Sequence, residues 1–204
     1  MSKTVLDTGG TGFIAHHLID IVNEKIKTNL PVKLHLGCGP NIWEDWINVE
    51  GDYIGEQPGI IHFNITDPYP LPDNCVDEIF TSHVIEHIIP TDVEPMMKEW
   101  LRILKPGGFV ATEWPDLLKC ATFLVKNPEM MYTKDRNRLK HGVAGIFGNI
   151  SKYQDLAMLH KWGYSEESMK VLKLEVGFSR AEIQEPIHPK TRKPMIDSRV
   201  VGYK

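Results

Sequence analysis

Apolar positions along the chain follow two spacings, and each spacing predicts a different element. From about Phe13 to Lys27 they recur every three or four residues, which is typical of the buried face of an amphipathic helix. Elsewhere they form short runs bounded by glycine, proline and other turn residues, which predicts strands. The predicted strands are 32–36, 46–49, 60–63, 76–81, 109–113, 178–184 and 198–202.

Helical patterns occupy most of the chain between the later strands. The predicted helices cover 92–104, a mostly helical stretch over 116–147, and 165–175. Pro95 falls in the first turn of the first of these helices, where proline is tolerated, and Lys-Pro-Gly-Gly at 105–108 ends it. Ser165 is a predicted N-cap, and Gly177 terminates the last helix.

The order of these elements predicts the fold class. Strands that alternate with helices or long crossovers indicate an α/β fold, here a doubly wound, mostly parallel sheet of seven strands. The last two strands have no helix between them, so we expect an antiparallel hairpin at one edge of the sheet.

Composition narrows the range of partners and compartments. The net charge of −4 and the pI of about 6.1 argue against nucleic acid or anionic lipid as a partner. Cys38, Cys75 and Cys120 lie far apart without a C-x-x-C pair, so we expect free thiols in a reducing compartment. Without a recognisable signal peptide or a bilayer-spanning apolar segment, the sequence predicts a cytoplasmic protein that does not bind membranes.

The strongest chemical signal is a strand that ends in a glycine turn and is followed by an acidic residue. Leu34-His35-Leu36-Gly37-Cys38-Gly39-Pro40 has the G-x-G that lets the backbone turn tightly and approach a ligand closely. Glu50 closes the next strand, where a carboxylate can accept hydrogen bonds from both hydroxyls of a ribose. A G-x-G alone is weak evidence, but the pair indicates a nucleotide-like ligand.

Six segments in order resemble the motifs of class I S-adenosylmethionine (SAM)-dependent methyltransferases, in particular the type 11 family. They are 34–40 (LHLGCGP), 46–50 (WINVE), 64–67 (NITD), 71–77 (LPDNCVD), 82–87 (SHVIEH) and 100–108 (WLRILKPGG). Six motifs in the correct order are far more specific than any one of them. The resemblance implies a Rossmann-like fold and SAM as the cofactor.

The resemblance also implies a set of SAM-binding residues. They are Leu36, Gly37, Cys38, Gly39, Glu50, Gly51, Ile65, Thr66, Asp67, Ser82 and His83. Two features depart from the commoner pattern. Only about ten residues separate Gly39 from Glu50, against about twenty in typical dinucleotide folds, so the first crossover helix should be very short or absent. Glu50 also stands where aspartate is commoner.

The resemblance divides the chain into an N-terminal helical extension, 1–30, and a methyltransferase domain, 31–204. A helical insert at about 117–164 should shape the acceptor side. His83 and His160 are the candidate catalytic residues, with His83 as the base for a hydroxyl acceptor; a core or supporting histidine is an equally good interpretation. Trp114, Asp116 and Trp162 are candidates for the substrate pocket, although a core role also fits Trp162. The implied acceptor is a small molecule or sugar, methylated on oxygen or nitrogen.

Three other motifs favour different functions. Residues 8–15 (TGGTGFIA) resemble the NAD(P) fingerprint of epimerases and dehydrogenases, but no tyrosine has a lysine four positions later. His83-Val84-Ile85-Glu86-His87 is an H-x-x-E-H zinc motif without an evident third ligand, so no metal is predicted. Asp67-Pro68-Tyr69-Pro70 is out of place for a base-amine methylase. A non-catalytic SAM-binding scaffold or partner subunit is the main alternative to an enzyme.

Overall fold

A seven-stranded mixed sheet forms the centre of the computed structural model, which describes residues 11–51, 57–131, 143–148, 156–187 and 196–204. The helices are α1 (Thr11–Lys27), α2 (Pro90–Ile103), α3 (Leu117–Lys126), α4 (Val143–Phe147) and α5 (Glu166–Val176). The strands are β1 (Lys33–Leu36), β2 (Ile47–Glu50), β3 (Ile60–His62), β4 (Val76–Ser82), β5 (Leu104–Pro115), β6 (Arg180–Gln184) and β7 (Asp197–Tyr203). Short 3-10 turns cover Ile85–His87, Pro128–Met131 and Leu156–Met158.

The strand order is β3-β2-β1-β4-β5-β7-β6, with β1 to β5 parallel and β7 antiparallel to both of its neighbours. The predicted fold class and the antiparallel hairpin are therefore confirmed. After β3 the chain returns to the other side of β1, so β1 and β4 flank the point where the winding reverses. In open α/β sheets the crevice at the carboxyl ends of these strands is where ligands bind.

One face of the sheet carries the main core. Leu34 of β1, Trp100 of α2 and Met169 of α5 are fully buried there. Leu18 and Val22 of α1 belong to the same cluster, which shows that the N-terminal helix packs on the domain that follows it. No helix among the described residues is both long and apolar enough to cross a membrane.

The opposite face is covered by the short connection between β1 and β2. That connection, residues 37–46, contains no helix, as the short spacing predicted. The Trp43 ring instead stacks on His35 at 4.4 Å and on Phe80 at 4.7 Å. Buried Asn48 holds the loop in place, since its side chain accepts a hydrogen bond from Trp43 N and donates one to Trp43 O, each at 3.0 Å. Asn48 therefore anchors this loop in the place where a crossover helix would otherwise connect β1 and β2.

Two predicted boundaries near α2 are wrong. The helix begins at Pro90, where the ring fixes a helical φ after extended Ile89, so Pro95 lies inside the helix rather than in its first turn. Strand β5 begins at Leu104 rather than Phe109. Leu104 pairs with Val76, and the ladder resumes with Phe109 opposite Glu78, so the Lys-Pro-Gly-Gly segment is an irregular part of the strand.

The stretch predicted as mostly helical over 116–147 is broken among the residues that can be described. It contains α3, a 3-10 turn at Pro128–Met131 and the five-residue α4; residues 132–142 lie outside the described part. The α5 boundaries follow the predicted signals. Ser165 and Ser168 form a capping box, and Gly177 ends the helix at φ +117°.

Lys173 of α5 is fully buried, and its ammonium group donates to Val110 O and Thr112 Oγ1, each at 3.0 Å. Burial, reinforced by the charge of Arg199, lowers the pKa of Lys173 to about 7. The unfolded chain therefore binds more protons than the folded one above that pH, and the free energy of unfolding should increase as pH rises from 7 to 9.

We expect Lys173→Met to remove this increase, which is at most about 1.4 kcal/mol per pH unit. Urea unfolding of both proteins at pH 7, 8 and 9 measures it, and the exposed lysine variant Lys126→Met is the matched control. An identical pH slope in Lys173→Met and the parent protein would contradict the assignment.

Candidate functional site

The glycine turn lies where β1 ends, at the reversal point of the sheet. Gly37 and Gly39 have φ of +64° and +53°, a left-handed conformation that side-chain-bearing residues rarely adopt. A Cβ at Gly37 would also overlap the Val84 side chain. Cys38 N donates to Val49 O at 3.1 Å and thereby ties the turn to β2. The turn is built so that only backbone faces the crevice at Gly37 and Gly39.

Glu50 connects the end of β2 to this turn. Its carboxylate is buried and accepts hydrogen bonds from Gly39 N and from Gly51 N, the latter at 2.8 Å. Burial and the nearby Glu50 charge raise the pKa of Cys38 to about 12, so the thiol between the two glycines stays protonated. Leu36 ends β1 as a fully buried core residue. The fold therefore brings Gly39 and Glu50, eleven positions apart, into direct contact.

The segment after β3 lies at the same edge of the sheet, because β3 is parallel to β2. Asn64 shapes it: its amide donates to Asp67 Oδ1 at 3.0 Å, and its carbonyl accepts from Thr66 Oγ1 at 2.9 Å. Asp67 is exposed, whereas Ile65 is buried in the main core. Of this predicted trio, Asp67 therefore presents its carboxylate to solvent and Ile65 anchors the turn.

His83 follows β4 with a left-handed backbone, φ 57°, directly after buried Ser82. Its ring lies between two carboxylates, with Nδ1 3.4 Å from Glu86 Oε1 and Nε2 3.6 Å from Asp197 Oδ2. Burial opposes the charged ring, but hydrogen bonds and charges from Asp197 and Glu86 outweigh it and raise the pKa of His83 to about 9. The imidazolium is thus the main form at neutral pH.

His160 lies on the other side of Glu86, 3.9 Å from Oε1 to its Nε2. Burial lowers the pKa of His160. The pKa of Glu86 is about 2, because its histidine neighbours, His83 first, outweigh the effect of burial. The two candidate catalytic histidines are therefore brought together around one buried carboxylate. The surroundings of His83 favour its charged form, whereas those of His160 favour its neutral form.

The three predicted pocket residues lie in different environments. Trp114 is fully buried and its indole donates to Tyr164 O at 3.0 Å. Asp116 is 2% exposed and caps α3 by accepting from Lys119 N at 3.0 Å, while it also binds Glu166 N at 2.9 Å. Trp162 is 55% exposed. Trp114 and Asp116 are therefore buried within the fold, and Trp162 presents an aromatic ring to solvent.

Sequence reasoning missed several members of this site. Asp197 at the start of β7 gave no motif signal, and it reaches His83 only because β7 pairs with β5. Arg199, which gave no motif signal either, forms a buried ion pair with Glu113 of β5 at 2.9 Å. Glu86 and His87 were visible in the H-x-x-E-H motif, but their neighbour His160 lies more than 70 positions along the chain.

Comparison with known proteins gives a local sequence match. Residues 38–112 match the family model described as a methyltransferase domain, Methyltransf_11. The "Probable methyltransferase ltbC" of Aspergillus luteorubrus is 39% identical over 61 residues, which are 28% of this chain and 21% of that protein. The chain thus aligns with about a fifth of that relative's length.

Solved structures give a match over nearly the whole chain. A SAM-dependent methyltransferase from Archaeoglobus fulgidus superposes with a TM-score of 0.56 at 14% identity, covering 93% of this chain and 94% of that one. A SAM-dependent methyltransferase from Thermotoga maritima, described as a "possible histamine N-methyltransferase", gives 0.51 at 18% identity over 94% and 92%. At these identities the likeness shows the fold. Residues 38–112 are therefore a methyltransferase domain of the Methyltransf_11 type, within a chain that has the class I SAM-dependent methyltransferase fold.

Proposed function

We propose that the protein transfers the methyl group of SAM to an oxygen or nitrogen atom of a small-molecule or sugar acceptor. The observation that carries the proposal is the contact between the glycine turn and Glu50 at the reversal point of the sheet. This contact joins a buried carboxylate to a glycine turn, and in open α/β sheets the crevice at the reversal point is where nucleotides bind.

The residues present at this crevice fit SAM. Gly37 and Gly39 have left-handed backbones and no side chains, so a ligand that approaches the turn at these positions meets backbone alone. Glu50 is positioned to accept hydrogen bonds from the ribose hydroxyls, with its own orientation fixed by Gly39 N and Gly51 N. Asp67 is the candidate for the adenine end. SAM, when bound, supplies a methyl group that its sulfonium charge has already activated.

The chain's own contribution on the acceptor side is positioning and handling of a proton. We assign this to His83, which follows β4 at the same end of the sheet and is partly exposed. The carboxylates of Glu86 and Asp197 fix its ring from two sides. His160, from the segment before α5, packs behind them and is the second candidate. Trp162 would cover a bound acceptor and exclude water.

Binding of S-adenosylhomocysteine tests whether the protein has a SAM site. Calorimetry should show one molecule bound per chain, and no detectable binding at high protein concentration would contradict it. A screen of hydroxyl and amine acceptors with labelled SAM then tests transfer. Binding without transfer to any acceptor would favour the non-catalytic SAM-binding subunit over the enzyme.

A further inference from the structure

The turn after β4 holds a carboxylate in an unusual environment. Glu86 is 1% exposed, and within the described part of the chain neither of its side-chain oxygens has a hydrogen-bond partner of good geometry. A buried carboxylate without such partners is costly. The atoms that approach Oε1 are imidazole nitrogens: His83 Nδ1 at 3.4 Å, His160 Nε2 at 3.9 Å and His87 Nε2 at 4.0 Å.

Two of these histidines are oriented by the backbone. His87 Nδ1 lies 3.0 Å from Leu159 O, and His160 Nδ1 lies 3.0 Å from Gly145 O. A carbonyl oxygen can only accept, so both Nδ1 atoms carry the proton and donate. In a neutral ring Nε2 then holds a lone pair. When both rings are neutral, two lone pairs face a carboxylate oxygen, and a bound cation would stabilise this arrangement of three acceptors.

We propose that Glu86, His87 and His160 form a binding site for one divalent transition-metal ion, with Zn²⁺ the best match. One ligand atom from each residue lies within 4.8 Å of the other two. In a tetrahedral zinc site with bonds of about 2.0–2.1 Å the ligand atoms are about 3.3 Å apart. Binding of the ion would therefore require the side chains to move closer together.

The ligand chemistry decides between kinds of metal. Two imidazole nitrogens and one carboxylate suit zinc and related transition metals, whereas Mg²⁺ and Ca²⁺ prefer oxygen ligands alone. The Nδ1–H to carbonyl bonds of His87 and His160 are the outer contacts that fix metal-binding histidines. Three protein ligands leave the fourth zinc position open, as in sites that take a water or a substrate atom.

From the sequence alone the H-x-x-E-H motif predicts no metal, because it follows the fourth strand and no third ligand is evident. The fold supplies that ligand from the segment before α5. Backbone bonds already hold the two segments together, since Lys161 N donates to Glu86 O at 2.7 Å and Trp162 N donates to the same oxygen at 3.2 Å. A metal at Glu86 would extend this connection to the side chains and stabilise the acceptor side of the domain.

The competing partner for Glu86 is a protonated His83, which can neutralise the carboxylate without any metal. The two interpretations differ in whether the protein binds zinc. Calorimetric titration of the untagged, chelator-treated full chain with ZnCl₂ should show one tight site per chain, and thermal melting should shift upward with Zn²⁺. Absence of saturable binding would overturn the proposal and leave His83 as the partner of Glu86.

Variants identify the ligands. His160→Asn and His87→Asn should each weaken zinc binding by more than the about 10–100-fold that loss of an outer contact causes, and His16→Asn, an exposed histidine on α1, is the matched control. Circular dichroism verifies that each variant is folded, and having two ligand variants protects the test against one that is not. Visible absorption of Co²⁺ in the same proteins reports the coordination directly. Equal zinc affinity in all three variants would contradict the site, whatever the protein methylates.

Discussion

Replacing His83 is expected to lower methyl transfer by about 10²–10⁴ while SAM affinity stays nearly intact. The side chain follows β4 at the carboxyl end of the sheet, and its partners Glu86 and Asp197 come from two other segments that fix the ring. The proposed role concerns the proton of a hydroxyl acceptor, which only the neutral ring can accept, so turnover should rise as pH increases towards the His83 pKa of about 9. The proposal places SAM elsewhere, at the glycine turn and Glu50. Turnover and cofactor binding should therefore separate in the variant.

The left-handed backbone at His83, φ 57°, determines which substitutions are informative. His83→Ala removes the ring but places alanine in a conformation that costs it stability. His83→Asn also removes proton transfer, and asparagine tolerates that conformation far better. Both variants should lose turnover to a similar extent, as measured with labelled SAM at saturating cofactor, with His16→Ala as the control. Full activity in His83→Asn, or a parallel loss of S-adenosylhomocysteine binding, would contradict a role on the acceptor side.

Features set by local sequence were predictable. The G-x-G at the end of β1 and the acid at the end of β2 need only strand boundaries, which hydrophobic runs and turn residues mark. The alternation of elements predicted the sheet and its antiparallel edge, because the sequence between the last two strands has no helical pattern. The short β1–β2 connection was predicted as well, although the way Trp43 and Asn48 replace the helix was not.

Features created by distant pairing were not predictable from spacing alone. His160 reaches Glu86, and Asp197 reaches His83, only after α5 and β7 have packed on the sheet. The same limit applies to Asp116, whose place after β5 marked it as a pocket residue. In the structure its carboxylate caps α3 and accepts hydrogen bonds from Glu166 N and Ser198 Oγ, so it ties α3, α5 and β7 together. A polar residue after a strand looks the same in either role.

Glu50→Ala is expected to weaken binding of SAM and S-adenosylhomocysteine by about 1–3 kcal/mol, the cost of leaving ribose hydroxyls without a charged acceptor. That corresponds to roughly a 5- to 150-fold higher dissociation constant.

The structure adds a second consequence, because the same carboxylate accepts hydrogen bonds from Gly39 N and Gly51 N. Removing it therefore also loosens the glycine turn, and thermal melting must accompany the affinity measurement. Glu50→Gln separates the two effects. Glutamine keeps one acceptor oxygen for the turn but loses the charge that binds both hydroxyls. Glu50→Gln should therefore melt closer to the parent protein than Glu50→Ala does, while its affinity for S-adenosylhomocysteine falls by a similar amount. Glu94→Ala, an exposed glutamate on α2, is the control for removing a carboxylate. Calorimetry with S-adenosylhomocysteine decides the matter: a folded Glu50→Ala protein with unchanged affinity would show that the acid at the end of β2 does not hold the ribose.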